Sequence, residues 1–178
     1  MKKYIAVILF CICFSSLFSQ EQDERNLQKE SVEHAFVALV FLGTECPISQ
    51  DYIGVLNKVV EQYAYKGNIR GIIPLKLTRK QIKKFREDYQ PRFPIELDKN
   101  LSLATQYSIT TTPEVILLDR DMRIRYRGAI DNWYYELGQH RQVVTENYMI
   151  KAINSLIEGK DVIVKETVPV GCPLPGRK

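Results

Sequence analysis

The sequence predicts one α/β domain, a mixed central sheet with helices on both faces. Three observations carry that reading. Residues 35–42 form an unbroken apolar run, helical periodicity follows it, and two late strand patterns flank a polar turn. The run Phe36 to Leu42 is continuous enough to be a strand buried on both faces. Ile48, Tyr52, Val55, Leu56, Val59, Val60 and Tyr63 then recur at helical spacing up to Lys66-Gly67, where Gly67 is the expected end cap. Ile69 to Leu75 reads as the second strand, and Thr78 to Tyr89 as a helix with Thr78 as N-cap. Pro91 and Pro94 bracket a loop before a short strand, Ile95 to Leu97, and Asp98 to Tyr107 reads as a short helix. Val115 to Leu118, the turn Asp119-Arg120-Asp121 and the returning Arg123 to Gly128 form a hairpin. Thr145 to Ile157 is the closing helix, ended by Gly159. Early alternation of strand and helix gives parallel neighbours and the hairpin gives antiparallel ones, hence a mixed sheet.

The ends of the chain set its compartment. Lys2 and Lys3 precede an apolar run from Tyr4 to Phe14, and Ser15, Ser16 and Ser19 supply small residues for cleavage. The run is shorter than the roughly 20 residues that span a bilayer, so residues 1–19 read as a secretory signal peptide. The protein is then secreted or periplasmic, and membrane contact would come only through an uncleaved signal anchor. Residues 20–34 are a polar lead-in, 35–164 the folded domain, and 165–178 a Pro/Gly-rich tail. Removing 19 of 178 residues leaves about 159, enough for one domain with a real core. The formal charge falls from +4 to about +2 with the loss of Lys2 and Lys3. Nucleic acid is not an expected partner. Lys80, Lys83, Lys84 and Arg86 lie among acidic neighbours and read as a solvated helix face.

Signal cleavage also removes Cys11 and Cys13, leaving Cys46 and Cys172. Cys46 lies in Gly43-Thr44-Glu45-Cys46-Pro47-Ile48-Ser49, between the first strand and the first helix. Unpaired N–H groups at a helix start stabilise a thiolate, and such cysteines have pKa values of about 3.5–7.5. Pro47 suits the first turn, where its missing N–H has no intrahelical acceptor. The residues alone therefore propose an activated thiol.

Phe41-Leu42-Gly43-Thr44-Glu45-Cys46-Pro47-Ile48-Ser49, Phe93-Pro94 with Asp98, Thr112-Pro113-Glu114 and Tyr126-Arg127-Gly128-Ala129-Ile130-Asp131 occur in the order of the thioredoxin-like fold. More narrowly the chain resembles the redoxin group, the alkyl hydroperoxide reductase/thiol-specific antioxidant family. Its closing Gly171-Cys172-Pro173-Leu174 resembles the ending of some exported members. The resemblance implies that Thr112-Pro113 is a cis-proline loop facing Cys46, with the residue before the proline offering backbone groups to an incoming thiol or peptide. It also implies thiol-dependent oxidoreductase or antioxidant activity, with protein thiols, disulfides or small peroxides as partners and an external reductant. Two departures are informative. Ser49 stands where a Cys-x-x-Cys motif has its second cysteine. Leu39 and Gly43 stand where the peroxidase signature has Pro and Thr or Ser.

The leading expectation is thiol–disulfide exchange, with Cys46 as nucleophile and Cys172 as resolving thiol. Thr44, Glu45, Pro47, Ser49, Thr112, Pro113 and Glu114 form the supporting site. Glu45 and Glu114 read either as tuners of the thiol and proton carriers or as exposed surface charges. No cofactor and no metal is assigned in this reading. Four alternatives stay open: a purely structural Cys46–Cys172 disulfide, a weak thiol peroxidase, a redox-inactive interaction domain, and a copper(I) chaperone. The last would use both cysteines with His34 or His140. Trp133-Tyr134-Tyr135, in an expected loop, reads as packing against the last helix or as an apolar docking surface.

Overall fold

The computed structural model describes residues 34–175, so the signal peptide and nearly all of the lead-in expected from the sequence lie outside the described residues. Strand β1 (Phe36–Phe41) is buried at all six positions, as its uninterrupted apolar character requires. It lies at the centre of a five-stranded sheet of order β3-β2-β1-β5-β6, with β2 at Gly67–Ile73, β3 at Ile95–Leu97, β5 at Glu114–Leu118 and β6 at Ile124–Gly128. β1, β2 and β3 run parallel, while β5 and β6 are antiparallel to their neighbours, which is the mixed sheet expected from the sequence.

The two faces of β1 carry two cores. Phe36, Ala38 and Val40 pack with Tyr52, Ile53 and Leu56 of α1 (Pro47–Tyr63), Phe85 of α2 (Arg79–Tyr89), and Met149 and Ile153 of α4 (Tyr148–Ile157). Val37, Leu39 and Phe41 pack with Ala104 of α3 (Ser102–Gln106), Tyr107, Ile109 and Leu174 from the far end of the chain. Helices therefore cover both faces. The outer face of α2 is solvated as expected, with Lys84 paired to Asp88 at 2.9 Å.

Several boundaries differ from the sequence reading, each for a local reason. Gly67 does not cap α1; it opens β2, where a Cβ would lie 2.3 Å from the Phe36 ring. Helix α3 starts at Ser102, because the buried Asp98 carboxylate accepts the N–H of Leu103 at 3.3 Å and of Ala104 at 2.8 Å. Helix α4 starts at Tyr148 rather than Thr145, since the Asn132 side chain holds the N–H groups of Thr145 and Glu146 at 3.0 and 3.1 Å. The expected loop after Asn132 contains a small hairpin, β7 (Tyr134–Glu136) and β8 (Gln139–His140). Its Trp133 and Tyr134 rings pack on Tyr52 of α1, at centroid distances of 5.5 and 6.0 Å.

The C-terminal arm is part of the sheet architecture. Arg127 N–H donates to the Lys165 carbonyl at 3.0 Å, and Thr167 N–H donates to the Arg127 carbonyl at 3.1 Å. The arm thus covers the β6 edge, which would otherwise offer unpaired backbone groups. Gly128 lets it approach: φ is +127°, and a Cβ there would lie 2.1 Å from the Thr167 carbonyl oxygen. Further on, β9 (Cys172–Pro173) pairs antiparallel with β4 (Thr111–Thr112).

Candidate active site

Sheet register places the two sequence-distant halves of the site together. Because β1 and β5 are antiparallel with Phe41 opposite Glu114, the end of β1 lies beside the start of β5. The turn 42–46 therefore meets Thr112-Pro113, whose peptide bond is cis as expected. Cys46 occupies the N-cap position of α1 in extended conformation, with φ −85° and ψ 113°, and Pro47 follows in the first turn. Its carbonyl accepts the Gln50 N–H at 3.0 Å, and its own N–H donates to the Gly43 carbonyl at 3.2 Å. The side chain of Gln50 donates to the Thr44 carbonyl at 2.8 Å, so Thr44 contributes backbone to the turn. Glu45 and Pro47 are exposed.

Ser49 is fully buried one turn into the helix, and its Oγ accepts the Gly43 N–H at 3.1 Å. The side chain at the second position of a dithiol motif thus ties down the loop that carries Cys46. Gly43 is also confined from the other side. A Cβ there would lie 2.7 Å from Thr112 Oγ1 and 3.0 Å from the Cys46 Cβ.

Cys46 and Cys172 form a disulfide across a separation of 126 residues, with their Cα atoms 5.9 Å apart. The Cys46 sulfur, 4 % exposed as a residue, lies 3.3 Å from the Thr112 carbonyl oxygen. Thr112 is buried, its Oγ1 donates to the Cys172 carbonyl at 3.4 Å, and it stands opposite Cys172 in the β4–β9 register. Two neighbours of Cys172 that the sequence reading left without a role complete the seat. A Cβ on Gly171 would lie 2.1 Å from the Thr112 carbonyl oxygen, so the arm's backbone rests directly on the cis-proline loop. Leu174 is buried among the Phe41, Tyr107 and Ile109 cluster, and its N–H donates to the Thr110 carbonyl at 2.7 Å. The sequence signal for both was present in Gly171-Cys172-Pro173-Leu174, but no pattern there gave their register.

Glu114 is buried rather than a surface charge. Burial pushes its carboxyl above the ordinary range, and the Arg127 guanidinium, 3.1 Å away, draws it part of the way back. Arg127 also donates to the Tyr107 carbonyl at 3.3 Å. Another buried carboxyl, Asp131, accepts the Tyr52 hydroxyl at 2.5 Å and the Trp133 N–H at 2.8 Å. Its pKa is raised by burial, against the lowering effect of those two donors. Tyr52 is pushed up as well, by burial first and then by its bond to Asp131. His140 packs edge-on against Trp133 and Tyr134 at 5.6 Å each. No group of three or more His, Cys, Asp or Glu side chains able to hold a metal is found among the described residues.

Comparison with known proteins fits this geometry. The AhpC/TSA family model matches residues 14–127, so Cys172 lies beyond the matched segment. The chain is 24% identical over 100 residues to the thiol-disulfide oxidoreductase ResA of Bacillus cereus (strain ZK / E33L), covering 56% of this chain and 58% of that protein. It therefore spans little more than half the length of that relative. Among solved structures, a hypothetical protein of Sinorhizobium meliloti 1021 superposes with a TM-score of 0.70 at 25% identity, over 82% of this chain and 81% of that one. A thioredoxin-like protein solved in its oxidised form gives a TM-score of 0.54 at 13% identity, over 72% and 81% of the two chains. The fold is thioredoxin-like.

Proposed function

This chain belongs to the AhpC/TSA family, and from that premise we propose that it is an exported thiol–disulfide oxidoreductase with Cys46 as nucleophile and Cys172 as resolving thiol. The observation that carries the reading is the Cys46–Cys172 disulfide, seated at a helix N-terminus and against the cis-proline loop. The relationship to a thiol-disulfide oxidoreductase supports the same chemistry. Export rests on Lys2, Lys3 and the apolar run that follows them.

In the reduced protein the N-terminus of α1 favours the Cys46 thiolate. The thiolate attacks one sulfur of a substrate disulfide and forms a mixed disulfide, and the other substrate sulfur leaves as a thiolate. The Cys172 thiolate then attacks the Cys46 sulfur. The substrate's second sulfur departs with the bonding pair, and the Cys46–Cys172 disulfide closes. The substrate gains two electrons and the protein loses two. An external dithiol must reduce the protein before the next cycle, and the same steps in reverse oxidise a substrate dithiol. Ser49 cannot resolve the mixed disulfide, so that task falls to the arm.

The test is a redox titration of residues 20–178, with alkylation of free thiols and mass-spectrometric mapping of Cys46 and Cys172. A reversible couple more oxidising than about −300 mV is expected. A disulfide that resists reduction under those conditions would make the pair structural and overturn the proposal.

A further inference from the structure

We infer that the C-terminal arm is an internal copy of the substrate, and that the site takes an extended polypeptide segment of the pattern Gly-Cys-x-apolar. The inference rests on the exchange activity proposed above and specifies its substrate class. In the oxidised protein Cys172 is bonded to Cys46 and stands opposite Thr112, the residue before the cis-proline. A substrate cysteine joined to Cys46 in a mixed disulfide needs that same position. Arm and substrate therefore occupy the site in turn, and the contacts of the arm describe what a good occupant must offer.

Three requirements can be read from them. The residue before the cysteine must lack a side chain, because a Cβ at Gly171 would lie 2.1 Å from the Thr112 carbonyl oxygen and 3.0 Å from the Pro113 nitrogen. The residue two places after it must be apolar and carry an N–H. Leu174 is 5 % exposed within the Phe41, Tyr107 and Ile109 cluster, and its N–H bonds the Thr110 carbonyl at 2.7 Å. The intervening position asks for no backbone donor, since Pro173 fills it. When the disulfide opens and the arm leaves, the Thr110 carbonyl and the apolar seat of Leu174 become available to an incoming chain. Pairing through backbone groups supplies affinity, and the two side-chain positions supply selectivity.

A peptide copying the arm, Val-Pro-Val-Gly-Cys-Pro-Leu-Pro-Gly, tests this when its cysteine is activated as a mixed disulfide with thionitrobenzoate. The enzyme is the chain without its signal peptide, residues 20–178, carrying Cys172→Ser and Gly171→Ala, which leaves Cys46 as its one cysteine and unseats its own arm. Attack of the Cys46 thiolate on the peptide sulfur forms one S–S bond and breaks another, and coloured thionitrobenzoate leaves with the bonding pair. The native peptide should react at least about tenfold faster than peptides with Ala for Gly or Ser for Leu. Rates are normalised to attack by glutathione on each peptide. Should the double variant fold poorly, Cys172→Ser in residues 20–178 should give the same ranking at lower absolute rates, its resident arm competing equally with all three peptides.

Equal normalised rates for the three peptides would overturn the inference while leaving Cys46 as an exchange thiol. It is overturned equally if none of the peptides reacts although Cys46 reduces dithiobis(nitrobenzoate). Failure with that small disulfide too would remove the exchange reading on which the inference stands.

Discussion

One hydroxyl decides how this site is wired. Ser49 Oγ accepts the Gly43 N–H inside the protein, where a second thiol would have let the turn close its own disulfide. Ser49→Ala should leave that N–H buried without a partner and cost about 1–3 kcal/mol, read as a lower midpoint in urea unfolding. Cys46 should keep its reactivity toward a small disulfide. A variant as stable as the parent would show that the bond does not hold the turn. The place of Cys46 between a buried strand and a helix was legible from sequence alone, since the apolar run before it and the helical period after it mark that junction. Gly43 and Gly171 were not, because what excludes their side chains is Thr112, far away in the chain.

At the level of elements, the arm is held in two ways, by noncovalent contacts and by one covalent bond. Residues 165–167 bond to β6 through the backbone, and Cys172 is joined to Cys46 covalently. Cys172→Ser removes only the second. The chain-entropy model gives the lost cross-link, spanning 126 residues, a value of roughly 4–5 kcal/mol. Urea unfolding should show that loss, and reductant should shift the parent protein by a similar amount while leaving the variant unmoved. Under turnover with a disulfide substrate the same variant should collect mixed disulfides on Cys46, visible by mass spectrometry. Undiminished turnover would remove Cys172 from the resolving role. The strands and helices with long apolar patterns, β1, α1, β2, α2 and the β5–β6 hairpin, were legible because burial writes its period into the sequence. The two-residue strands β4 and β9 have no room for a period, and the β7–β8 hairpin is largely exposed, so neither left one.

Across the whole molecule, two buried carboxyls set a pH dependence. The Glu114 and Asp131 values are both raised by burial above their ordinary 4.5 and 3.8. The native state therefore holds these protons more tightly than the unfolded chain does. Stability from this source is complete below those ordinary values and is lost as pH rises through the raised ones. Glu114→Gln should flatten the fall in unfolding free energy from about pH 4 to pH 7, leaving the part due to Asp131. An unchanged slope would show that Glu114 binds its proton equally in the folded and unfolded states. The distance between the two cysteines along the chain has one more effect, on the order in which the protein comes into being. At roughly 5–20 residues per second, Cys46 is synthesised about 6–25 s before Cys172. Throughout that interval the growing chain carries Cys46 without Cys172, so under the exchange function proposed above a mixed disulfide formed at Cys46 has no arm to resolve it until Cys172 has been made.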